Sequence, residues 1–170
     1  MERKAKRMNR IEDVADYMRE HKLLLVTAES CTSGLIAATL ADIPGAGQLL
    51  DCAFVTYSVQ AKQRCLGVNE LTILRNNLTS EPVAREMALG ALKRSRANLA
   101  ISNTGLADDS DDELPAGTQC FAWAFRPNSV PEGVGVFSAT YRFEGDRVAI
   151  RQQSAEYALL QIPLYHSQHS

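Results

Sequence analysis

Apolar positions along the chain follow two rhythms. Ile11, Val14, Ala15 and Met18 recur at the spacing of one helix face. They predict an amphipathic helix ending near His21. Leu23-Leu24-Leu25-Val26 is a continuous apolar run, suited to a strand buried on both faces and placed at 23–28. A helix over 32–41 follows and is broken by Pro44-Gly45-Ala46-Gly47. Residues 52–57 read as a second strand and 60–66 as a short helix stopped by Gly67. Asn69 caps another short helix through Leu74. Ser80 is a helix cap, with Glu81 and Pro82 in the first turn, ahead of Met87, Ala88, Ala91 and Leu92. Leu99-Ala100-Ile101 is a short strand ending at Ser102-Asn103-Thr104-Gly105. Residues 108–115 are acidic and loop-like. Strands near 118–125 and 134–143 flank a turn containing Pro and Gly. Gly145-Asp146 opens a last helix carrying Val148, Ile150, Ala155 and Leu159.

Strand–helix units followed by a late hairpin predict a single α/β domain, three layers α/β/α around a mixed central sheet. The length of 170 residues suits one domain with a substantial core. The reading divides the chain into a basic leader at 1–10, a domain at 11–162 and a polar tail at 163–170. The leader carries Arg3, Lys4, Lys6, Arg7 and Arg10; the tail, with His166 and His169, is expected to fray. No repeat or interdomain linker is visible.

Composition narrows the function classes. A formal net charge of −2 offers no reason to expect a nucleic-acid or membrane partner. No apolar run approaches the ~20 residues of a membrane span. The N-terminus lacks a signal core, so a cytoplasmic protein is expected. The four cysteines, Cys31, Cys52, Cys65 and Cys120, lack paired spacing and read as free thiols. The three histidines form no zinc-type ligand set, so no metal is expected.

The chemistry concentrates in Thr27-Ala28-Glu29-Ser30-Cys31-Thr32-Ser33-Gly34, between the first strand and the second helix. Free N–H groups at that helix N-terminus would face an anion or oxyanion. The carboxyl end of a strand is also where α/β sheets collect ligands. No histidine stands near a candidate nucleophile in the sequence, and neither GxSxG nor GxxxxGK[ST] occurs. A serine can instead be activated by a neutral lysine in a desolvated cleft. Lys62 is the candidate, with the Tyr57 hydroxyl to relay or orient a proton. On residues alone, three structural readings stay open: Ser30 as a loop or cap serine, Lys62 as a surface lysine, and Tyr57 as a sheet tyrosine. Cys31, at a helix N-terminus, is either a competing nucleophile or a packing residue.

Six segments taken together resemble the CinA C-terminal domain family, whose active members are nicotinamide-nucleotide (NMN) amidases. They are residues 27–34, Phe54-Val55-Thr56-Tyr57-Ser58, Ala61-Lys62-Gln63, Leu66-Gly67-Val68, residues 85–92 and Phe143-Glu144-Gly145-Asp146-Arg147. The resemblance runs from about residue 11 to 161. It implies hydrolysis of a carboxamide on a small molecule, NMN or a related amide, to a carboxylate and ammonia. It further implies Ser30 as nucleophile, Lys62 as base and Tyr57 as its partner. Cys31, Thr32, Ser33 and Gly34 would form the ligand loop, with the Thr104-Gly105 turn beside it and Arg147 reaching a ligand phosphate. No cofactor is needed for this chemistry. A homo-oligomer, a dimer, is implied as well.

The sequence departs from the family pattern at three places. Where active members have Gly-Pro-x-Gly-Gly, this chain has Asp108-Asp109-Ser110-Asp111-Asp112, followed by Glu113. Val59-Gln60 replaces Asn-Glu, and Ser33 replaces a glycine. Carboxylates facing the cavity would repel a phosphate of about −1.5 to −2 charge; a solvated loop pointing away would not. Three functional readings result: an NMN-type amidohydrolase, a catalytically silent homologue that binds a ligand or partner, and a hydrolase of an uncharged or cationic amide.

Overall fold

The central sheet has five strands: β1 (Leu25–Glu29), β2 (Leu50–Val55), β3 (Leu99–Gly105), β4 (Thr118–Phe125) and β5 (Gly135–Arg142). Their order is β2-β1-β3-β4-β5, parallel across β2, β1 and β3 and antiparallel across β4 and β5. The structure, a computed structural model, describes residues 10–109, 111–127 and 133–169. Residues 1–9 of the basic leader and most of the turn between β4 and β5 lie outside the described residues.

Seven helices and a 3₁₀ turn at Ala46–Gln48 complete the described fold: α1 (Ile11–Glu20), α2 (Leu35–Ala41), α3 (Val59–Leu66), α4 (Glu70–Arg75), α5 (Glu81–Lys93), α6 (Arg147–Leu160) and α7 (Ile162–His169). Alternation along β4 sorts the two faces. Phe121, Trp123 and Phe125 meet Val14, Met18, Ile36, Ile150 and Leu159 on one side. Cys120, Ala122 and Ala124 meet Val83, Met87, Ala91 and Leu92 of α5 on the other. Bulky aromatics fill the broad layer of α1, α2, α6 and α7, and small side chains let α5 approach the sheet. The result is the expected α/β/α layering. Among the described residues, no helix is long and apolar enough to cross a membrane.

The caps fall where side-chain chemistry places them. Ser58, Asn69, Ser80 and Asp146 each accept a backbone N–H in the first turn of α3, α4, α5 and α6. Gly67 ends α3 at φ 69°, the left-handed region open to glycine.

The first two strands are displaced by one or two residues from the sequence reading, at Leu25–Glu29 and Leu50–Val55, and three further boundaries differ. The short strand read at Leu99-Ala100-Ile101 includes the whole Ser102–Gly105 segment read as its end, because the polar residues there find partners. The Ser102 hydroxyl donates to Ala84 O, and Thr104 Oγ1 donates to Leu78 O. The helix expected from residue 32 starts at Leu35, since Ser33 and Gly34 stand at φ 51° and 99°. The tail expected to fray forms α7 instead. Tyr165 stacks on Trp123 and His169 on Phe125, and Tyr17 Oη shares a 2.8 Å hydrogen bond with His166 Nδ1. Aromatic rings spaced along a polar-looking segment supply that packing.

Candidate active site

Ser30 leaves the carboxyl end of β1, tied to β3 by its N–H to Asn103 O at 3.0 Å. Lys62 lies one turn into α3 and is completely buried. Its Nζ is 2.9 Å from Ser30 Oγ, 2.8 Å from Thr56 O and 3.2 Å from Tyr57 O. Among the described residues no carboxylate forms an ion pair with it. Burial without a counter-charge lowers its pKa from 10.5 to about 8. The ammonium form has three donors for three acceptors. The neutral amine keeps two N–H bonds to the carbonyls and turns its lone pair to the Ser30 hydroxyl. That is the geometry of a general base.

The helix N-terminus behind Ser30 is not open to a ligand, contrary to the sequence reading. Glu29, fully buried, fills it. Its carboxylate accepts from the N–H groups of Gly34, Ile36 and Ala37 at 3.1, 2.8 and 3.1 Å. The hydroxyls of Thr27 and Thr32 donate to it at 2.8 and 2.7 Å. A buried carboxylate needs such compensation, and the positive end of the helix dipole adds to it. Sequence reasoning missed Glu29; an acid between two threonines at a strand–helix junction was the available signal.

A cavity of about 320 Å³ opens in front of Ser30. Cys31, Tyr57, Thr104, Gly105 and Arg147 line it with Ser30, as the sequence reading grouped them. Thr32, Ser33 and Gly34 do not line it. Thr32 Oγ1 and the Gly34 N–H serve Glu29, and Ser33 points to solvent. Tyr57 also differs from its expected role. It meets Lys62 through its backbone carbonyl, while its hydroxyl accepts from Arg147 Nη2 at 3.0 Å. The hydroxyl sits in an exposed side chain at the cavity mouth and shares no hydrogen bond with Lys62.

Cys31 is held from both ends. Its carbonyl accepts from Arg151 Nε at 2.9 Å, and its Sγ lies 3.5 Å from Gln119 Nε2. Burial pushes its thiol pKa up, which disfavours the thiolate and supports the packing reading. Gln119 also receives Asn103 Nδ2 at 2.8 Å, and Asn103 Oδ1 receives the Thr32 N–H at 3.0 Å. This amide relay, unread in the sequence, braces the serine loop against β3 and β4. Gly105 makes room for it: a Cβ there would fall 2.0 Å from Gln119 Oε1.

The acidic segment turns toward the cavity. Asp108 and Asp111 line it, and Asp108 Oδ2 accepts from Arg147 Nη1 at 2.9 Å. Asp111 is fixed by Asn77 Nδ2 at 3.0 Å and by the N–H groups of Glu113 and Leu114. Those bonds hold its carboxyl below the ordinary range, the Asn77 contact foremost.

The chain as a whole has relatives. A family model described as the CinA C-terminal domain matches residues 8–164. The nicotinamide-nucleotide amidohydrolase PncC of Shigella flexneri is 41% identical over 152 residues, covering 87% of each chain. A CinA-like protein of Chlorobaculum tepidum is 42% identical over 151 residues, covering 87% of this chain but only 35% of the longer relative. The chain thus spans about a third of that protein's length. Among solved structures, the competence damage-inducible protein A (ComA) of Klebsiella pneumoniae superposes with a TM-score of 0.85 at 30% identity, covering 94% of this chain and 96% of that one. The competence/damage inducible protein CihA of Agrobacterium tumefaciens gives 0.81 at 35% identity, covering 92% and 95%. With the family model spanning nearly every described residue, the chain belongs to the CinA C-terminal domain family.

Proposed function

We propose that the protein is a small-molecule carboxamide hydrolase built like the nicotinamide-nucleotide amidases, with Ser30 as nucleophile and Lys62 as general base. The single observation that carries this reading is the buried Lys62 Nζ, 2.9 Å from Ser30 Oγ and without a carboxylate partner. A pKa of about 8 leaves about one lysine in ten neutral at pH 7, against fewer than about one in a thousand at the ordinary value.

Neutral Lys62 takes the Ser30 proton as Oγ bonds to the carboxamide carbon. The resulting ammonium gives that proton to the leaving nitrogen, and ammonia departs as the C–N bond breaks. Water then adds to the acyl-serine, Lys62 again accepting the proton, and the carboxylate leaves with Ser30 restored. Thr56 O and Tyr57 O hold the amine during both transfers. The Cys31 N–H, next to the nucleophile, has no hydrogen-bond partner among the described residues. It is the donor we assign to the developing oxyanion.

The test is ammonia release from NMN and a panel of other carboxamides, with Ser30→Ala and Lys62→Ala as controls. Turnover lost in both variants supports the reading. Absence of turnover above the Ser30→Ala control on every amide favours a silent, ligand-binding homologue, consistent with Asp108 already engaging Arg147.

A further inference from the structure

We propose that the Asp108–Arg147 pair restricts the cavity to carboxamides whose far end carries no phosphomonoester, with a cationic nucleoside amide as the preferred class. The inference rests on the amidohydrolase reading and adds the substrate's charge to it. Arg147 is the cation among the cavity's lining residues, and it already has two partners, Asp108 Oδ2 at 2.9 Å and the Tyr57 hydroxyl at 3.0 Å. Asp111 adds a second carboxylate to the lining, pinned by Asn77 and two backbone N–H groups so that it does not swing away readily. The described lining residues thus set two aspartates against one arginine, with the Lys62 amine behind Ser30 as a further cation.

A phosphomonoester brings about −1.5 to −2 charges of its own. At Arg147 it finds two of the five N–H donors already taken by Asp108 and Tyr57, and it must sit beside the Asp108 carboxylate. Nor can the α2 N-terminus take the phosphate, because Glu29 occupies its N–H groups. A pyridinium nucleoside without phosphate meets the opposite situation, with its positive charge facing two carboxylates. Arg147 and Asp108 are each about half exposed, 49% and 57% for their side chains. Their mutual attraction alone is therefore weak, and the selectivity comes from the two carboxylates that line the cavity with Arg147. Added salt should weaken it.

The decisive comparison is between nicotinamide riboside and NMN, which differ only in the phosphate. In wild-type protein the expected kcat/KM ratio favours the riboside by at least about tenfold at low salt, and the ratio shrinks at about 0.5 M salt. Asp108→Asn should shift that ratio toward NMN by about tenfold. NMN matching or outperforming the riboside, with either EDTA or Mg²⁺ present, overturns the proposal. So does an Asp108→Asn variant that leaves the ratio where it was.

The same two ligands are titrated calorimetrically into Ser30→Ala protein, which reads charge selectivity without turnover. Tighter riboside binding there supports the proposal even if no amide is hydrolysed, an outcome that would sink only the amidohydrolase reading. Tighter NMN binding, or binding of neither ligand, overturns the proposal.

Discussion

Thr32 Oγ1 donates to the buried Glu29 carboxylate at 2.7 Å, drawing the loop after Ser30 back onto the residue before it. Ser30 is therefore clamped between the cap of α2 and β3, and its hydroxyl is presented to Lys62 by a segment with little freedom. The five donors around Glu29 replace the hydration it loses. Glu29→Gln keeps the shape but removes the charge and sets an amide N–H₂ against backbone donors. The expected cost is about 3 kcal/mol of unfolding free energy, measured by urea denaturation. A change below about 1 kcal/mol would mean the carboxylate is not needed to hold the loop.

Lys62 makes stability depend on alkaline pH. Its folded pKa of about 8 lies below the ordinary 10.5, so between these values the unfolded chain binds more protons. The wild type should therefore gain stability relative to Lys62→Met as pH rises from about 8 to about 10.5, by up to about 3 kcal/mol. Unfolding midpoints of both proteins at pH 7, 8.5 and 10 check this. Parallel curves would mean that Lys62 is solvated in the fold.

The same group sets the expected activity profile. kcat/KM should climb through pH about 8 and level above it, as the amine becomes neutral. A profile flat from pH 6 to 9 would remove Lys62 as the base.

His166 works in the acidic range. Burial, then the neighbouring His21 and His169, lower its pKa below the ordinary 6.5. As pH falls from 6.5 toward the folded value, the unfolded chain takes up a proton first and the fold loses stability. The wild type should weaken relative to His166→Phe between pH 7 and 5, with α7 loosening first. Hydrogen exchange of residues 162–169 reads that loosening directly.

Gly90 of α5 lies against α3 so closely that a Cβ would fall 2.0 Å from Leu66 O. Gly90→Ala must push α3 outward, and Lys62 rides on α3. The expected result is a loss of about 2 kcal/mol of stability, with kcat falling further than ligand affinity. Denaturation and steady-state kinetics separate the two effects.

Much of the fold was legible before any coordinates. The Leu23–Val26 run, the caps at Ser80 and Asp146 and the stop at Gly67 are local signals, since each depends on neighbours within one turn. The resemblance grouped Ser30, Lys62, Tyr57, Thr104, Gly105 and Arg147, and the fold brings all of them to one cavity or directly behind it. What escaped reading were partnerships across long separations. Examples are Glu29 filling its own helix terminus, the Asn103–Gln119 relay, and α7 held by rings from β4.

Residue order alone determined the sequence of strands and helices as far as α6, most of their caps and the kinds of chemical group available. Those properties follow from backbone dihedrals, side-chain volume and short-range hydrogen bonds. Only the tertiary structure decided that Lys62 would lose its water, that Tyr57 would turn its hydroxyl to Arg147, and that Asp108 would reach the same guanidinium. Desolvation and charge pairing depend on which surfaces meet once the chain has closed on itself.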